Sequence, residues 1–157
     1  MTSILRFVEV FALGTWVGSI LFFSFAVAPA AFTVLSNRHD AGAVVGYSLT
    51  RLHWSGMIAG LIYLAALVLE QKSFTGWFRP AAFAVILMIA LTFSSQHFVS
   101  RRMTVLRAEM GSIDSTPLDS PLRVEFDSLH KASVRIEVTI LLCGLAGLFL
   151  KVREFGK

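Results

Sequence analysis

"FDSLHKASVRIEVTILLCGLAGLFL", residues 126–150, ends as a membrane span should but begins with Asp127, His130, Lys131, Arg135 and Glu137. A spanning helix needs about 20 mainly apolar residues, and the segment from about Lys131 to Leu150 supplies them. Ionisable groups at membrane depth are costly, so they are expected to face neighbouring helices and to find partners there. The segment therefore reads as a helix that starts in the polar mouth of a bundle and ends in hydrocarbon.

The remainder of the chain fits that reading. It has 157 residues, 55% of them hydrophobic and only 15% charged, whereas soluble domains average about 25% charged. Three further spans are expected: Val10 to Phe32, Leu49 to Leu69 and Pro80 to Val99. Pro80 suits the first turn of a helix, and Pro29 should kink or loosen the last turns of the first span. The "APA" at 28–30 resembles a cleavage site. The apolar region before it is longer than the usual 7–15 residues, however, and Arg6 is the only basic residue ahead of it, so a retained span is expected. The predicted fold is an all-α, antiparallel four-helix membrane bundle forming one domain over residues 1–157. Between the third and fourth spans, residues 101–131 are polar but helix-periodic on either side of Gly111 and Pro121, which predicts a projecting helical hairpin.

Composition also excludes function classes. The net charge is +4, but the basic residues flank apolar spans, as membrane proteins require, so no nucleic-acid partner is expected. Cys143 is the only cysteine, which rules out an intrachain disulfide and any CxxC pair. No Ser-His-Asp order, carboxylate pair or phosphate-binding glycine loop appears, and an independent enzyme is not expected. The short basic segments lie on the side of the termini, which points to cytoplasmic termini in a bacterial inner membrane.

The distribution of polar residues is uneven. All four histidines (His39 in the first loop, His53, His97 and His130) fall at the end where spans 1 and 3 finish and spans 2 and 4 begin. Arg51, Gln96, Arg101, Arg102, Arg135 and Glu137 lie there too. Helical steps of three and four place Phe126, His130, Ser133, Glu137, Ile140 and Gly144 on one stripe. They place Ala90, Ser94, His97 and Arg101 on another, and Leu49, His53, Gly56, Gly60 and Tyr63 on a third. Gly14 and Gly18 form a small-xxx-small pair that lets helix backbones approach. These stripes are expected to face inward. Glu137 is expected within reach of Arg51, Arg135 or His130.

"WVGSILFFSFAVAPAAF", "RLHW", "SSQHFVSRRMTVLRAEMG" and "FDSLHKASVRIE", in that order, resemble the transmembrane-protein-205-like family of four-helix membrane proteins. That resemblance implies the same bundle, and an architecture similar to copper-resistance inner-membrane proteins and to a haem-binding oxidase. It leaves three functional expectations. The first is an accessory or structural subunit in the lipid bilayer, in a larger membrane complex or a homo-oligomer, with Arg51, Gln96, Ser133, Arg135 and Glu137 as its structural polar cluster. The second is transport of, or resistance to, a metal ion or small solute at the polar mouth. Imidazole suits transition metals and a carboxylate can complete the set, so the candidate metal ligands are His130, Glu137, His53 and His97. The third is haem b held by His53 and His130 or by one of them, lined by Phe25, Phe32, Trp54 and Phe126.

Overall fold

The protein is described here by a computed structural model covering residues 2–155. Helix α1 (Thr2–Phe22), a π-helical turn (Phe23–Val27) and α2 (Ala28–Val34) make the first span. Helix α3 (Arg38–Gln71) is the second. The third joins α4 (Pro80–Ser94), a π-helical segment (Ser95–Ser100) and α5 (Arg101–Met110), and α6 (Pro121–Phe155) is the fourth. The loosening expected at Pro29 takes the form of the π turn just before it. Proline lacks the N–H that would close an ordinary turn and crowds the carbonyl four residues back, and the chain answers with a wider one.

The four spans close into a ring: α1 packs on α3 and α6, and α4 packs on the same two helices. Leu13, Trp16, Val17 and Ile20 meet Tyr63, Leu67, Val85, Met88 and Ile140 in the common core. Large apolar side chains such as Phe7, Phe11, Phe22, Phe83 and Phe149 point outward, as lipid-facing positions require.

Lipid tails are as apolar as the core, so association within the bundle rests on close packing over small residues. A Cβ on Gly56 would lie 2.1 Å from Trp16 Nε1, and one on Gly144 would lie 2.5 Å from Val17 Cγ2. Gly14 and Gly18 behave otherwise: added Cβ atoms there would meet nothing within 4 Å. The spacing of Leu13, Trp16, Val17 and Ile20 turns these two glycines away from the helix interface. Gly14→Ala is accordingly expected to leave thermal stability unchanged or raise it by up to about 1 kcal/mol through helix propensity. A large loss in a detergent melt would contradict the packing.

The third span also corrects the sequence reading. Ala90, Ser94, His97 and Arg101 are exposed, while Met88, Thr92, Ser95 and Val99 are buried. The inward stripe lies two positions from the expected one, because packing against α6 selects the face without His97 and Arg101.

All four spans exceed what a bilayer needs. They contain 32, 34, 31 and 34 residues, roughly 46–51 Å at about 1.5 Å per residue, against about 30 Å of hydrocarbon. The excess gathers into a head at the histidine end. There α5 packs on the beginning of α6 around Leu106, Ile113 and Phe126. Arg102 donates two hydrogen bonds to Glu125, at 2.7 and 2.8 Å.

Helix α3 joins this head, because it starts at Arg38 rather than near Leu49. His39, expected in a loop, lies in its first turn and is half-buried. Two side chains cap that start. Asn37 Oδ1 accepts from the Asp40 N–H at 2.7 Å, and Asp114 Oδ2 accepts from the N–H groups of Arg38 and His39 at 3.1 and 3.3 Å. Arg107 lies over the Phe126 ring, 5.5 Å from its centroid, and fills the space left by Gly42. Asp114→Ala removes a cap and a charge favourable to the helix N-terminus, for an expected loss of about 1 kcal/mol. Hydrogen exchange should rise at the first turn of α3. Unchanged protection there would count against the cap.

Candidate functional site

Three spans meet at one buried polar node. On α3, the stripe of Leu52, His53, Gly56 and Gly60 faces the ring interior, and His53 is almost wholly enclosed. Its Nδ1 lies 2.9 Å from Gln96 Oε1 on the third span, and its Nε2 lies 3.2 Å from Glu137 Oε2 on α6. Ser133, one turn before Glu137, is buried as well. The polar start of α6 therefore faces protein, as expected, but the partner of Glu137 is His53 and not Arg51, Arg135 or His130.

The remaining candidates lie elsewhere. His130 is exposed, since the buried stripe of α6 passes through Phe126, Ser133, Glu137, Ile140 and Gly144 with Leu129 at its edge. It stands two turns, about 10 Å, up the helix from Glu137. His97 is exposed and stacks on Phe93, with ring centroids 4.5 Å apart. Arg51 is exposed and donates to the Tyr47 hydroxyl at 2.9 Å, and Arg135 is exposed on α6.

Haem b or a transition metal held by His53 does not fit these residues as arranged. Both ring nitrogens of His53 are taken, and His130 is not beside it. No three His, Cys, Asp or Glu side chains converge among the described residues. The proposed aromatic slot is dispersed: Phe25, Phe32 and Trp54 face outward, and Phe126 lies in the core of the head.

The depth of the node follows from the packing of α6. A Cβ on Gly147 would lie 3.4 Å from Ala84 Cβ, and one on Gly144 would lie 3.0 Å from Met88 Cε. Continuing these antiparallel steps sets Ile140 opposite Thr92 and Glu137 opposite Ser95. Against the first span, Gly144 faces Val17 and Lys151 pairs with Glu9, which brings Glu137 level with Phe23. Both π-helical segments begin at those levels, at Phe23 and Ser95. Single wide turns inside helices occur often at functional sites. Three buried polar atoms near this depth have no hydrogen-bond partner among the described residues: Glu137 Oε1, Ser95 Oγ and Thr92 Oγ1.

A second node, at the end of the termini, is absent from the sequence reading. Glu9 and Lys151 form an ion pair, and both are almost fully buried. Lys151 also reaches Glu154 at 3.3 Å, which Arg79 approaches at 3.4 Å. The signal was there: Glu9 continues the buried steps of Leu13, Trp16 and Ile20, and Lys151 continues Glu137, Ile140, Gly144 and Gly147.

No curated protein and no solved structure matched this chain. Residues 11–112, more than half of the chain, match the family described as a domain of unknown function, DUF4149, and the protein belongs to that family.

Proposed function

We propose that this integral membrane protein is an accessory, structure-bearing subunit, one membrane domain whose polar nodes hold four spans in register while its head engages a partner. The observation that supports this reading is that polar side chains from different spans are joined in the interior. His53, Gln96 and Glu137 tie spans two, three and four, and Glu9 with Lys151 ties one and four. Buried pairs of this kind specify register and add little net stability. The head has its own apolar core and its own ion pair between Arg102 and Glu125, so it is built to hold a shape outside the bilayer. The quoted motifs support kinship with the transmembrane-protein-205-like family, and the short basic segments support cytoplasmic termini in a bacterial inner membrane.

The test is migration in mildly solubilised native membranes. The protein is expected in an assembly larger than its detergent monomer. Charge reversal at Glu109, Asp119 and Arg101, all exposed on the head, should release it without lowering its melting temperature. Monomeric migration of the unaltered protein would overturn the reading. Handling of a small solute at the histidine end is the second reading, favoured by the unpartnered Glu137 Oε1.

A further inference from the structure

The two nodes pose the same physical problem and solve it differently. A carboxylate inside a membrane bundle needs a positive partner or several hydrogen bonds, because the surroundings do not solvate charge. At the end of the termini the chain supplies that partner itself, placing the Lys151 ammonium on Glu9. At the histidine end it supplies only an imidazole, that of His53. Glu137 meets no Lys or Arg among the described residues; its Oε2 faces His53 and its Oε1 faces no donor.

The groups at the same depth share one chemistry. Ser95 begins the π-helical segment that packs on α6, beside Gln96, which shares His53 with Glu137, and Thr92 lies one turn before it. Both are essentially fully buried, and neither hydroxyl oxygen has a hydrogen-bond partner among the described residues. The start of a π-helical segment at Ser95 sets this part of the third span apart from an ordinary helix. One carboxylate oxygen and two hydroxyl oxygens are hard donors, which suit alkali and alkaline-earth ions and do not suit soft metals. A single carboxylate balances one positive charge, so the matching ion is monovalent.

We propose that Glu137, Ser95 and Thr92 form a binding site for one alkali cation, tested here with Na⁺, inside the bundle beside His53. The inference goes beyond the accessory-subunit reading and does not depend on it. The bound ion takes the place at this end that Lys151 takes at the other.

The experiment is thermal unfolding of the purified full chain in detergent at constant ionic strength, in choline chloride, KCl or NaCl. A saturable rise of several degrees in NaCl over choline is expected. Glu137→Gln and Ser95→Ala should each remove the sodium-dependent rise, while Ser95→Ala keeps a melting temperature in choline close to that of the unaltered protein. Should Glu137→Gln fail to fold, Ser95→Ala and Thr92→Val carry the test. Equal melting temperatures in all three salts would overturn the proposal. A sodium effect that survives both Ser95→Ala and Thr92→Val would also overturn it. Head-variant migration reads the accessory role separately, so failure of one leaves the other standing.

Discussion

Lys151→Met is expected to destabilise the protein by about 3–5 kcal/mol, the cost of leaving one member of a buried ion pair uncompensated. Glu9 is fully enclosed, and the Lys151 ammonium is the cation placed against it. The corresponding fall in melting temperature is on the order of 10 °C for a chain of this size. Glu9→Gln combined with Lys151→Met removes both charges, and most of the loss should return, because well-packed neutral side chains can replace a buried pair at little cost. Equal instability of the single and double variants would show that packing of the lysine stem, and not charge, holds this end together.

Gly56→Ala carries the second large effect. The added methyl would lie 2.1 Å from Trp16 Nε1, 2.4 Å from Cε2 and 2.6 Å from Cδ1. The indole is itself nearly fully buried between α1 and α3, so it has no free volume to enter. Overpacking of this kind costs about 1–3 kcal/mol. The loss should be partly repaired by Trp16→Phe, which withdraws the pyrrole edge from that space. A neutral Gly56→Ala would mean that α1 and α3 do not cross as closely as described.

These two contacts also show how much the sequence could reveal. Apolar length alone gives four spans, and steps of three and four give the inward stripes of α3 and α6, including Glu137 and the glycines that face Trp16 and Val17. The third span was ambiguous on the same evidence. Ala90, Ser94, His97 and Arg101 and the stripe of Met88, Thr92, Ser95 and Val99 are both weakly polar at helical spacing. Only contact with α6 distinguishes them, and it rejects the histidine. His130 failed for a related reason: its position lies one residue from Leu129, at the edge of a stripe that is already wide enough. The pairing of His53 with Glu137 joins residues far apart in the sequence on facing helices. No local pattern encodes that distance. The Glu9–Lys151 pair is legible by spacing, since each residue continues the buried steps of its helix.

The polar start of α6 faces inward and is joined to α3 through His53 and Glu137. A double-mutant cycle with His53→Leu and Glu137→Met, read by thermal or denaturant unfolding in detergent, measures that link. A coupling of at least about 1 kcal/mol is expected, with the double variant less destabilised than the sum of the single ones. Additive losses, within about 0.5 kcal/mol, would contradict it.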